Sequence, residues 1–119
     1  MRLTWLVAAL VLASVLAYLQ HWALADLLYW YYPWFDTLMH FLGGLALGTF
    51  AIAFLDKRRP LVFLGGMIAV ALGWELFELI IHADREANFV FDTSLDLLMD
   101  ATGMSIAYIL ARHTIWHSA

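Results

Sequence analysis

The chain has 119 residues, 65% of them hydrophobic and 13% charged, with a mean hydropathy of +0.81 and a formal net charge of −4. An ordinary soluble domain is about half apolar and a quarter charged, so this composition excludes that class, and with no basic patch beyond Lys57–Arg59 it offers nucleic acid no surface. The absence of cysteine removes disulfides, thiolate metal ligands and a cysteine nucleophile.

The apolar residues fall in long runs. Leu3 to Leu19 carries no charge, Asp36 to Leu55 one acid and one histidine, Leu61 to Ile81 two glutamates, and Thr93 to Ala111 two aspartates. Each run is about 17–21 residues, close to what a helix needs to cross a ~30 Å hydrocarbon layer. The expectation is an all-α membrane protein: one domain over 1–119, a four-helix bundle with spans near 3–20, 36–55, 61–82 and 93–112. Arg2, the first apolar run and Ala23-Leu24-Ala25 imitate a secretory signal with an A-x-A site. That run exceeds the usual signal core of about 7–15 residues, so the first helix is expected to be retained.

Between the first two spans, His21 to Phe35 holds Trp22, Tyr29, Trp30, Tyr31, Tyr32 and Trp34. Aromatic rings with a polar edge collect at the headgroup level, which predicts a short interfacial segment here. The loop ADREANFV between the last two spans is short and polar. Arg2, Lys57, Arg58, Arg59 and Arg112 all fall on one side of this threading, with Arg85 alone on the other. The positive-inside rule then puts both termini and the DKRRP turn in the cytoplasm, as for a multi-pass protein of a bacterial cytoplasmic (inner) membrane.

Small residues mark expected helix contacts: Gly44 and Gly48 in the second span, Gly65, Ala69 and Gly73 in the third, Gly103, Ala107 and Ala111 in the fourth. Lipid gives helices no hydrophobic reason to associate, so close backbone approach at such faces does the work, within the chain or in a homo-oligomer.

The polar residues inside the spans follow the helical period. Asp36 and His40 stand one turn apart; Glu75, Glu78 and His82 lie at i, i+3 and i+7; Asp92, Asp96 and Asp100 run through FDTSLDLLMDATG at i, i+4 and i+8. Each set occupies one helix face. At about 1.5 Å per residue, His40, Glu78 and Asp96 sit roughly 4–6 Å below the outer ends of their helices, and Glu75 and Asp100 about 10 Å below. Six carboxylates and two histidines thus gather at one level of one leaflet. An ionisable residue within a span costs about 2.5–3.5 kcal/mol on insertion scales, which makes such residues markers of function.

If all six acids ionised, Arg85 would be the only permanent cation beside them. Either several carboxyls hold protons or a cation neutralises them. Carboxylate and imidazole donors without sulfur suit a divalent metal ion (Zn, Mn, Fe or Mg), with Ca also compatible. The candidate ligands are Asp36, His40, Glu75, Glu78, Asp92, Asp96 and Asp100. Asp36 and Asp92 lie nearer the surface, where an N-cap or first-turn charge explains them equally well. Thr37 and Thr93 support helix starts, Trp74 is read as packing, His82 can snorkel to water, and His113 and His117 receive no role. The spacing is not the E-x-x-H of ferritin-like di-iron bundles.

The stretches DTLMHFLGG, GWELFE and FDTSLDLLMDATG together resemble the YjdF-like family of small bacterial membrane proteins, with a looser likeness to the VanZ-like family. The likeness covers roughly Asp36 to Gly103. YjdF-like chains typically carry additional spans, so this chain is similar to their core. Relative to the VanZ-like pattern, acids replace amides at Glu78 and Asp100, which makes the site more anionic. The resemblance implies the architecture and the importance of Asp36, His40, Glu75, Asp92 and Asp96, and it names no substrate.

The expected function is divalent-metal binding in a pocket between the last three spans, open to the outer face. Its extension is chemistry on a lipid or lipid-linked headgroup by a metal-activated water, with Glu78 or Asp100 as general base. Proton- or cation-coupled transport is the alternative; it needs a polar route toward the cytoplasm, where the spans offer mainly Thr49, Thr102, Ser105 and Tyr108. A non-enzymatic accessory protein, its acids binding only a partner, is the third reading.

Overall fold

A computed structural model describes residues 2–32, 34–55, 58–80 and 89–116; the side chains of 29, 30, 78, 79 and 89–93 lie outside that description. The described residues form five helices: α1 (Leu3–Ala25), α2 (Leu28–Tyr31), α3 (Trp34–Phe54), α4 (Pro60–Ile80) and α5 (Phe89–Thr114). Four of them, all but α2, are long and apolar enough to cross a membrane. The protein is therefore an all-α bundle of four candidate spans, and its surface contacts the bilayer. Leu10, Val11, Leu61, Leu64, Leu98 and Ile109 are among the large apolar side chains it exposes. Lipid is as apolar as leucine, so outward leucines are no anomaly here.

Two boundaries differ from expectation for local reasons. The first helix continues to Ala25, where the Asp26 N–H closes the last turn on the Trp22 carbonyl at 2.9 Å. Leu27 then takes the left-handed conformation (φ 56°) and turns the chain into the single-turn α2. The expected interfacial aromatic segment is thus partly helical. At the other boundary α5 begins at Phe89, which places Asp92 inside the helix. α4 starts on Pro60, a residue preset for the first helical position because it has no N–H to satisfy.

Four aliphatic hydroxyls within the helices bond locally. Ser14, Thr49, Thr102 and Thr114 each donate to the carbonyl four residues earlier, at 2.6–2.8 Å. In hydrocarbon this is the cheapest way to satisfy a hydroxyl.

The centre of the molecule is the α3–α5 pair. A Cβ added at Gly44 would overlap the Asp100 carbonyl oxygen, and one at Gly103 would overlap the Phe41 carbonyl and lie 2.5 Å from the Leu45 nitrogen. Further down, a Cβ at Gly48 would come within 3.0 Å of Ala107 Cβ and 3.2 Å of Met104 Cα. The two backbones therefore touch, and they run parallel, Gly44 level with Asp100 and Gly48 with Met104. The expected role of the small residues in the second and fourth spans is realised in this contact. The third span differs: Gly65 and Gly73 would meet nothing within 4 Å, so that face has no use within the described residues.

α1 packs on α3, its start tied to the end of α3 where the Arg2 N–H donates to the Ala53 carbonyl at 2.7 Å. Two cores result. One gathers Ile52, Phe63, Met67, Met104, Ala107, Ala111 and Trp116 at the end where α3 stops and α4 starts. The other, Ala23, Leu28 and Phe35, closes the opposite end beneath α2. α4 joins the first core through Phe63 and Met67, and clefts of about 640 Å³ each open along its two flanks.

Candidate metal centre

The parallel register of α3 and α5 positions the site. One turn above the glycine contact, position 40 comes level with position 96, and position 36 with position 92. Because glycine lets the helix axes approach, side chains one turn away meet without reaching. His40 Nε2 lies 3.4 Å from Asp96 Oδ2 and 3.7 Å from Asp36 Oδ1. Its other nitrogen, Nδ1, is 3.0 Å from Asp100 Oδ1. Three aspartates from two helices surround one imidazole.

The setting is largely enclosed. The side chains of His40, Asp96 and Asp100 are 12%, 6% and 13% exposed, whereas Asp36, in the first turn of α3, is 40% exposed. One ligand atom each from Asp36, His40 and Asp96 lies within 4.8 Å of the others, a group that can hold a metal ion. Two ligands about 2.1 Å from a tetrahedral metal stand about 3.4 Å apart, and both Nε2 separations are near that spacing. Two ionised carboxylates about 4.8 Å apart repel by about 3–4 kcal/mol at an effective dielectric of 20. All described arginines (Arg2, Arg58, Arg59 and Arg112) sit at the opposite helix ends, so none of them neutralises these carboxylates.

Asp100 does something different from the other two. A ligating histidine normally donates its second ring N–H to a carboxylate, which sets the tautomer and aims the free lone pair. Asp100 stands where that acceptor stands. In the tautomer that donates Nδ1–H to Asp100, the Nε2 lone pair would face the space between Asp36 and Asp96. The spacing of the aspartates puts Asp96 and Asp100 on one face, but only the position of the ring sets Asp96 against Nε2 and Asp100 against Nδ1.

Of the other expected site residues, Glu75 is half-buried on α4 and is not part of the three-residue group. The side chains of Glu78 and Asp92 lie outside the described residues, as do His82 and Arg85. The third span instead contributes an apolar wall. The cleft onto which His40, Asp36 and Asp100 open is completed by Met39, Val70, Ala71 and Trp74, and by Gln20 and Leu24 of α1. Sequence reasoning gave the first helix no part in the site; the amide of Gln20, in an otherwise apolar run, was the available signal.

No family model, curated protein or solved structure matches the chain.

Proposed function

We propose that the protein is an integral membrane protein that binds one divalent metal ion through His40 Nε2, Asp36 and Asp96, with Asp100 holding the ring. The observation that supports this is the division of the imidazole, one nitrogen on Asp100 and the other aimed at two carboxylates. Three protein ligands leave coordination positions open, the pattern of sites that do chemistry rather than hold structure. The likeness of the motifs to YjdF-like and VanZ-like chains belongs to the same reading.

With the arginine end cytoplasmic, the site faces the outer leaflet. The cleft beside it is mostly apolar and carries its polar groups at one end, which suits a lipid or lipid-linked substrate whose headgroup reaches the metal. Asp36, the most exposed of the acids, is the group such a headgroup meets first. The transport alternative has less support: from Asp100 toward the arginines the α4–α5 cleft is lined by apolar side chains and Ser105 until Tyr108 and Arg58.

Metal content of detergent-purified protein, measured by mass spectrometry after exposure to zinc, manganese and iron, tests the proposal. One equivalent is expected, with affinity falling as the pH is lowered, because protons compete for the same nitrogen and oxygens. Failure to take up any of the three metals would remove the proposal and leave a proton-sharing carboxyl cluster, to be tested by proton flux in vesicles.

A further inference from the structure

The second cleft, between α4 and α5, has a charged mouth and an apolar interior. Arg58 stands at its entrance, half-buried, with Nε donating to the Tyr108 hydroxyl at 2.8 Å and the guanidinium 5.8 Å from the centre of the Tyr108 ring. Phe63, 5.3 Å from the same ring, buttresses it from α4. The interior is Leu64, Met67, Ile68, Leu97, Met104 and their neighbours, and Asp100 closes the far end. From Arg58 to Asp100 the described residues lining this cleft include no other charged side chain.

Its length identifies the occupant. The wall of α5 from Asp100 to Ile109 spans about 14 Å at 1.5 Å per residue, close to one leaflet of a ~30 Å hydrocarbon layer. A groove one leaflet deep, apolar within and cationic at the headgroup level, fits a single phospholipid with its chain along the groove. Charge complementarity favours an anionic headgroup, since a zwitterionic one brings its own cation to Arg58; with Nε engaged on Tyr108, the guanidinium retains its four terminal N–H donors and the tyrosine its own hydroxyl proton. A guanidinium and an adjacent hydroxyl together form a phosphate clamp. We infer that the α4–α5 cleft seats one anionic phospholipid of the arginine-side leaflet, its phosphate on Arg58 and Tyr108 and one acyl chain running toward Asp100. The headgroup site lies apart from the metal centre, and the two clefts share Asp100, beneath which the chain would end.

Native mass spectrometry of the whole protein in detergent, with phosphatidylglycerol and phosphatidylcholine of identical chains, tests it. The wild type is expected to retain one phosphatidylglycerol about fivefold over phosphatidylcholine, the size of one arginine's attraction to an anionic headgroup. Arg58→Gln should abolish that preference, and Tyr108→Phe should weaken it. Ser105→Phe, which fills the groove and leaves the arginine in place, should expel both lipids. Equal retention of the two lipids by the wild type would overturn the inference. So would a preference that survives Ser105→Phe, which would mark ordinary surface attraction, or a dimer dissolved by Ser105→Phe, which would make a second copy the occupant. Should Arg58→Gln not fold, the Ser105→Phe and Tyr108→Phe arms decide alone.

Discussion

Gly103→Ala is expected to destabilise the protein strongly. The new Cβ would overlap the Phe41 carbonyl and lie 2.5 Å from the Leu45 nitrogen, and both obstacles are backbone. Overpacking against mobile side chains costs typically about 1–3 kcal/mol. Here nothing can rotate away, so the helices themselves must separate and the cost should reach the top of that range or pass it. Gly44→Ala should behave alike, since its Cβ would overlap the Asp100 carbonyl and lie 2.9 Å from Asp100 C and Cα. Gly65→Ala and Gly73→Ala are the controls: their methyls meet nothing within 4 Å, and alanine is the better helix former by about 1 kcal/mol. Unfolding titrations in mixed micelles should therefore separate Gly44 and Gly103 from Gly65 and Gly73. If Gly103→Ala and Gly73→Ala unfold together, the α3–α5 contact is not the centre of the fold. The same substitutions should also disrupt the metal site, because His40 and Asp96 meet one turn from the contact.

His40→Ala should remove metal binding altogether, since it deletes the one nitrogen donor of the proposed site and the contact of that ring with Asp100. Asp100→Asn should do less. The amide keeps the shape and can still accept from Nδ1, but it lacks the charge that makes the imidazole a stronger donor to metal. Partners of this kind typically cost 10–100-fold in metal affinity when changed, about 1.4–2.7 kcal/mol. Asp96→Asn, at a buried ligand position, should fall between these two. Chelator competition on the purified variants, each checked for folding, would rank them. Loss in Asp100→Asn as complete as in His40→Ala would make Asp100 a ligand itself. An unchanged affinity would strip it of its role on the ring.

Much of this architecture was legible in the residues alone. The four apolar runs and the acid-bearing helix faces follow from hydropathy and the 3.6-residue period, which are properties of each segment. His40 and the three aspartates around it, Asp36, Asp96 and Asp100, are all among the candidate ligands that the period suggests. Periodicity gives a face, but it does not give the partner of that face. It treated the glycines of three helices as equivalent, although among the described residues Gly44, Gly48 and Gly103 are the ones at a helix contact, because contact depends on which axes lie side by side. It likewise treated Asp96 and Asp100 as two ligands on one stripe. Their difference comes from the parallel register, which sets His40 between them so that one carboxylate faces Nε2 and the other Nδ1. Spans and polar faces were thus determined by sequence. The pairing of α3 with α5, the standing of α4 off that pair, and the division of roles around one ring were decided only by tertiary packing, because each depends on distances between residues far apart in the chain.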